Sequence, residues 1–379
     1  MKKVVIIPDS FKGTMSSKEI CDIIGRTVKK YYPDCNIVSV PVADGGEGSV
    51  DCFLTAVGGK KVYVDVKGPY FENIRAYYGI IDQDTAVIEM ASCAGLPLVE
   101  GRENPMKTTT YGVGQMILHA ASNGCKKIIL GLGGSCTNDG GTGAAAALGV
   151  KFFNDKNEEF VPVGGTLKDI AKIDISGKAN ILDGVSITAM CDIDNVMYGS
   201  SGAAFVFAPQ KGADEKMVKE LDNGLMHLSD VIESDLGVHV SNVPGAGAAG
   251  AMGAGMLAFC NAELKMGIQV VLDTVNFDKL IEDADVIFTG EGKIDGQSLR
   301  GKVVVGVARR AKKQGIPVVA IVGDIGDDID GIYDMGVNSI FSINRVALPF
   351  EQARKRSKSD LESTVDSLLR FSKLNIGQD

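Results

Sequence analysis

Residues 131–149, GLGGSCTNDGGTGAAAALG, follow the apolar run KKIIL at residues 126–130 and pass into a stretch of alanines. The apolar run reads as a buried strand and the alanines as the start of a helix, so the order is strand, glycine loop, helix. Gly131, Gly133 and Gly134 can take backbone angles closed to other residues. Gly140, Gly141 and Gly143 let a ligand or a second segment come close to the main chain. Asn138 and Asp139 stand where an N-cap belongs. The bare N–H groups of a helix start attract an anion, whereas an Asp there repels one unless a metal ion or a transferable proton lies between them. Two readings follow. Either the loop handles a phosphate or carboxylate, with Asp139 doing chemistry or holding magnesium, or Asp139 caps a helix and the glycines serve tight packing.

The same strand-to-loop pattern recurs along the chain. KVVIIP at residues 3–8 runs into Asp9-Ser10-Phe11-Lys12-Gly13, and Ser16 with Glu19 forms a capping box before a helix to Tyr32. A strand over residues 37–42 runs into Ala43-Asp44-Gly45-Gly46-Glu47-Gly48 and a helix to Ala56. Open α/β sheets place ligands at the carboxyl ends of their strands, where these acidic residues fall. From Lys60 the rhythm changes to KKVYVDVKG, IRAYYGII and TAVIEMA, strands in succession with turns between them, which predicts antiparallel pairing. VSITAMCDID at residues 185–194 reads as a strand delivering Asp192 and Asp194 into a loop, and FVFAPQKG at residues 205–212 as a strand ending beside Lys211. From Gly267 the βαβα alternation resumes with GIQVVLDTV, then DVIFTGEGKID at residues 285–295, and continues to a final helix from Phe350. The expected fold is α/β in two domains. A doubly wound, flavodoxin- or Rossmann-like parallel-sheet domain comes from both chain ends (1–60 plus 265–379), interrupted by an inserted mixed-sheet α/β domain (61–264).

Composition narrows the function classes. A net charge of −9 argues against a nucleic-acid partner, which needs a basic face to displace counterions. The longest uncharged stretch, residues 243–262, is rich in Gly and Ala and contains Pro244, so it is rejected as a membrane span. MKKVVIIPDS has too few apolar residues for a signal-peptide core, which makes the cytoplasm the expected location. Two glycine motifs are demoted. Gly245-Ala246-Gly247-Ala248-Ala249-Gly250 matches the dinucleotide fingerprint, but its glycine run continues and it closes the inserted region rather than opening an alternating fold. Gly296–Lys302 matches a phosphate-loop spacing, but Val303 stands where a magnesium-binding Ser or Thr is needed. The three histidines lie away from the acidic loops. Carboxylates, lysines and glycine loops together suit phosphoryl transfer, in which positioning, magnesium and cations supply most of the catalysis.

PDSFKGTMSS, PVADGGEG, GLGGSCTNDGGTG, CDIDNVMYGSSGAAFVFAPQKGA, PGAGAAGAMGAG and TGEGKIDGQSLRGK, in this order, resemble the glycerate kinase type 1 family over nearly the whole chain. Cys136 departs from the small Ala expected in the glycine loop. The resemblance implies phosphorylation of D-glycerate by ATP with Mg2+, in a cleft between the two domains, without nucleic acid or membrane and with a homo-oligomer allowed. Within it, Asp192 is the leading candidate for general base and Asp139 the second. Lys12 and Lys293 are expected to hold the glycerate carboxylate or the transferring phosphoryl group. Asp9, Ser10, Asp44, Glu47, Asn138 and Lys302 are expected to contact substrate, and Gly133, Gly134, Ser135, Gly140 and Gly141 the phosphates of ATP. Glu291 and Asp295 are the expected metal ligands. The alternatives are an NAD-dependent dehydrogenase using the GAGAAG run and a non-catalytic binder of a small organic acid.

Overall fold

The computed structural model describes residues 1–374 except Asp44 and Glu47, and not the side chains of Gln297 and Arg300. The chain divides into two compact units. One comprises Met1–Ala43, Thr55–Val57 and the chain from Ile268 on, and the other Asp44–Leu54 and Gly58–Gly267.

The first unit is a parallel sheet of β1 (Lys3–Pro8), β2 (Asn36–Ser39), β3 (Val286–Gly290), β4 (Val318–Val322) and β5 (Val337–Ser342), in the order β2-β1-β3-β4-β5. Val4, Val5, Ile6 and Ile7 of β1 are all fully buried, as a central strand covered on both faces requires. Helix α1 (Ser17–Tyr31) begins with the expected capping box, Ser16 accepting from the Glu19 N–H and Glu19 from the Ser16 N–H. Helix α2 (Val303–Lys312) connects β3 to β4, and α3 (Ser357–Phe371) packs beside α1, joined to it by the Lys30–Glu362 and Lys358–Glu19 ion pairs. Strand order reverses between β1 and β3, which makes their carboxyl ends the topological switch point of a flavodoxin-like sheet. Pro8 lies opposite Gly290 there, and the Asp9 N–H donates to the Gly290 carbonyl.

The second unit carries a six-stranded mixed sheet, ordered Glu263–Lys265, Ser186–Met190, Lys127–Gly131, Thr85–Glu89, Asn73–Ile80, Lys60–Lys67. The first four strands are mutually parallel, and the last two extend the sheet as an antiparallel pair. The antiparallel succession read from Lys60 is therefore present. A separate three-stranded antiparallel sheet is formed by Glu159–Phe160, Lys151–Phe153 and Lys172–Asp174. Among the described residues, no helix is long and apolar enough to cross a membrane.

Two segments read as strands are helices. Ala203–Phe207 and Gly267–Thr274 are rich in β-branched or aromatic residues, but burial follows a helical period. Ala203 and Ala204 are buried and Phe205 and Val206 exposed, while Ile268, Val271, Leu272 and Val275 are buried at helical spacing. Composition lost to periodicity in both places.

The GAGAAG run does not follow a strand. It enters the helix Ala248–Cys260 through three left-handed residues, Ala249, Gly250 and Ala251. A Cβ on Gly250 would stand 2.0 Å from the Thr137 carbonyl, and one on Gly247 2.2 Å from that of Val196. These glycines let main chain lie on main chain, which accounts for them without a dinucleotide.

Gly250 (φ +68°) and Gly237 (φ +68°) share a backbone angle, but a Cβ at Gly237 meets nothing within 4 Å. Gly237→Ala should therefore cost about 1 kcal/mol for the left-handed backbone alone. Gly250→Ala should add a packing cost of about 1–3 kcal/mol. Urea unfolding midpoints of the two variants test this, and equal losses would refute the close packing at Gly250.

Candidate active site

Lys127–Gly131 and Ser186–Met190 are parallel neighbours, with Gly131 opposite Met190. Their carboxyl ends consequently deliver Leu132-Gly133-Gly134-Ser135 and Cys191-Asp192-Ile193 to one place. These residues, with Leu96, Phe207, Gln210, Lys211, Ala248 and Ala249, line a cavity of about 210 Å³. Gly133, Gly134, Ser135 and Asp192 are thus brought together. The loop is held open by backbone contacts: the Gly133 N–H donates to the Gly45 carbonyl, and the Gly134 carbonyl accepts from Leu96 N–H. The Asp192 carboxylate accepts from the Gly267 N–H at 2.6 Å while lining the cavity.

Lys211 is the cation of this cavity. It is 2% exposed, and its ammonium donates to Ser135 Oγ (2.9 Å) and to the Thr137 carbonyl (2.7 Å). Burial brings its pKa down to about 8, opposed by the nearby Cys136 and Asp139. A buried lysine needs an anion or several acceptors to keep its charge, and here two neutral oxygens leave room for an anionic ligand. Cys136 is buried and its thiol pushed up to about 12, mainly by burial, so it packs as a small neutral side chain.

Asp139 is fully buried and does not line the cavity. Its carboxylate accepts from the Thr110 N–H (2.7 Å), Thr110 Oγ1 (2.8 Å), Gly141 N–H (3.2 Å) and Gly143 N–H (3.3 Å). Burial raises its pKa, and those donors pull the other way. The helix that follows is only Thr142–Ala147, with Gly141 at its N-cap, and its leading N–H groups are taken by Asp139 and Thr110 rather than presented outward. Gly140 and Gly141 are buried there too. Gly140 donates its N–H to the Gly250 carbonyl. Asn138 is buried and does not line the cavity.

Asp9, Ser10, Lys12, Glu291, Lys293, Asp295 and Lys302 lie in the other unit. Asp9 and Glu291 leave the adjacent strands β1 and β3, and Ser10 donates its N–H to Asp9. Glu291 is 4% exposed and accepts from Ser298 Oγ. Burial pushes its carboxyl up to about 7, reinforced by Asp9 and Asp295 and opposed by Ser298 and Lys302. Lys302 caps α2, and Lys293 pairs with Asp295 at 3.8 Å. Lys12 is exposed in the loop after β1. Asp44 and Glu47 lie outside the described residues. Among the described residues, no group of three or more His, Cys, Asp or Glu is disposed to hold a metal. Mg2+ asks less of a protein, typically one or two carboxylates with waters and phosphate oxygens completing its shell. Glu291, whose charge Asp295 disfavours, and Asp295 fit a cation arriving with a polyphosphate.

A model of the glycerate kinase family matches residues 4–373. The chain belongs to the glycerate kinase family. It is 46% identical to a glycerate kinase of Bacillus cereus (strain ATCC 10987 / NRS 248) over 97% of each chain. It is 45% identical to a glycerate 2-kinase of Escherichia coli (strain K12) over 90% of each. A crystal structure of a protein assigned as glycerate kinase 2 from Salmonella typhimurium LT2 superposes with a TM-score of 0.86 at 38% identity, covering 98% of each chain. Lys211 is not among the site residues expected from the sequence. The available signal was a lysine in the APQKG segment, hidden because that segment was read as a strand end rather than a 3-10 turn, Pro209–Lys211.

Glu291 gives a pH test. Its folded pKa of about 7 lies above the ordinary 4.5, so the stability it contributes is full below pH 4.5 and lost as pH rises through 7. Between pH 5 and pH 8, wild type should lose on the order of 3 kcal/mol more stability than Glu291→Gln. Denaturant titrations across that window check it, and parallel pH profiles would show that Glu291 titrates normally.

Proposed function

We propose that this chain transfers the terminal phosphoryl group of ATP to the 2-hydroxyl of D-glycerate, as a type 1 member of its family. One observation carries the reading. A glycine loop, a buried lysine and a carboxylate meet on one small cavity at the ends of adjacent parallel strands. About 210 Å³ falls short of the roughly 300–1,000 Å³ of sites for drug-sized ligands, and suits a three-carbon acid better than a whole nucleotide. The name of the Escherichia coli relative, a glycerate 2-kinase, favours the 2-hydroxyl.

The acid's carboxylate sits against Lys211 and the donors of Gly134 and Ser135. Asp192 then takes the proton of the attacking hydroxyl, its carboxylate oriented by the Gly267 N–H. The nucleotide's phosphates go to the loops after β1 and β3, where Lys12, Lys293 and Lys302 supply positive charge, and Glu291 and Asp295 would hold magnesium. Magnesium supplies charge neutralisation on the phosphoryl oxygens. The apolar lining of Leu96, Leu132, Phe207 and Ala249 excludes water that would otherwise compete as acceptor.

A phosphorus NMR spectrum of the product from ATP and D-glycerate should show 2-phosphoglycerate, and 3-phosphoglycerate would overturn the regiochemistry. Asp192→Asn should lower kcat by a factor on the order of 10² or more. Turnover near wild type would remove Asp192 from the base role. Lys211→Met should act differently, raising KM for glycerate by about tenfold or more through loss of a charge-assisted contact. An unchanged KM would place the carboxylate elsewhere.

A further inference from the structure

Lys211 and Ser135 stand in a relation that phosphoryl transfer does not use. The Lys211 ammonium donates to Ser135 Oγ at 2.9 Å and to the Thr137 carbonyl at 2.7 Å, and the lysine and the serine are both buried residues of the cavity wall. Neither partner is a carboxylate. A lysine paired with a carboxylate is fixed as a cation, whereas one held by two neutral oxygens away from water can lose its proton and act as a base. Burial moves Lys211 toward that state, to about 8, against the pull of Cys136 and Asp139 of the glycine loop. Asp192 is the other titratable side chain of the same cavity besides Cys191, whose thiol burial keeps protonated.

Ser135 has the matching requirement. A hydroxyl offers one donor and two acceptor sites. Lys211 fills one acceptor site, and the Ser135 O–H meets no acceptor among the described residues. When the lysine is neutral the bond reverses, so that Nζ keeps one N–H on the Thr137 carbonyl and accepts the Ser135 proton. A serine oxygen bonded to a base in this way is an activated nucleophile.

The main chain adds two donors. Ser135 faces Gly95 in an isolated antiparallel bridge, whose hydrogen bonds run from the Leu96 N–H to the Gly134 carbonyl and from the Cys136 N–H to the Ala94 carbonyl. In such a pair the N–H of each facing residue points away from its partner. The N–H groups of Ser135 and Gly134 meet no acceptor among the described residues, and both residues line the cavity. They are the donors available to a carbonyl oxygen that becomes negative under attack by Ser135.

We propose that Ser135 and Lys211 form a nucleophile–base pair, which gives this chain a second activity, the hydrolysis of small uncharged carboxylic esters through an acyl-Ser135 intermediate. Neutral Lys211 takes the Oγ proton as Oγ bonds to the ester carbonyl carbon. The bond from that carbon to the leaving oxygen breaks, and the departing alcohol receives the proton from Lys211. Water then adds to the acyl carbon, the acyl–Oγ bond breaks, and the serine hydroxyl and a free carboxylic acid are released. The ester must be uncharged because an anion beside Lys211 would hold it protonated. The activity needs neither ATP nor a metal ion, so it stands apart from the kinase reading, in which a bound carboxylate keeps the lysine a cation.

The test treats the wild-type protein with p-nitrophenyl acetate, without ATP, above the Lys211 pKa of about 8, and maps the acetylated residues by peptide mass spectrometry. Acetyl on the Ser135 oxygen is the expected result. The initial burst of p-nitrophenol should be lost in Ser135→Ala and slowed on the order of 10²-fold or more in Lys211→Met. Lys211→Arg, which keeps the charge but cannot act as a base, should slow it as much. Acetylation confined to lysines, with Ser135 unmodified, would overturn the proposal whether or not any variant folds. An undiminished burst in Ser135→Ala would overturn it as well.

Discussion

Main chain pressed on main chain is the constraint from which the second unit is built. A Cβ on Gly131 would stand 2.3 Å from the Gly45 carbonyl, and one on Gly133 2.6 Å from Gly46 Cα. At Gly250 and Gly255 the same clash would occur with the carbonyls of Thr137 and Gly140. The loop after Lys127–Gly131 is thus clamped between two other glycine segments, and no side chain larger than hydrogen is admitted at the contacts. That clamp fixes where Ser135 and the Thr137 carbonyl stand, and through them where the Lys211 ammonium is held. Composition alone, 47 glycines in 379 residues, would suggest flexibility. The structure spends several of them on close approach instead.

Burial acts on the charged groups of the two units in opposite directions. Lys211 is drawn down to about 8 and Glu291 raised to about 7, each chiefly by desolvation. Both shifts bring the group toward neutrality near physiological pH, and both would be reversed by a ligand of the opposite charge. Each group is therefore least comfortable when alone, which is the electrostatic condition for tight capture of an anion by one and a cation by the other.

Most of the fold could be read from the chain because strand ends and glycine loops alternate visibly, and because the apolar runs of β1 and β3 have no polar face. The antiparallel strands from Lys60 were legible through their turns. Ala203–Phe207 and Gly267–Thr274 were not, since β-branched and aromatic residues suggested strands while only the burial pattern, a tertiary property, identifies helices. The site was partly legible. Gly133, Gly134, Ser135 and Asp192 meet on one cavity, whereas Lys211 was passed over because nothing local distinguishes a buried lysine from a solvated one. Its burial depends on Ser135 and Thr137, more than seventy residues away in the chain.

Asp139 and Asp192 illustrate why position in a motif does not assign a role. Both follow strands at the ligand-binding edge of the same sheet, and either could be named as a base from sequence. Four hydrogen bonds from Thr110, Gly141 and Gly143 occupy Asp139, and it has no surface on the cavity. A proton arriving on it would have to displace donors that hold the Thr110 turn to the start of the next helix, so its chemistry is spent on architecture. Asp192 accepts from the Gly267 N–H and lines the cavity. A base must reach the proton it removes before its pKa matters, and on that criterion the two carboxylates separate.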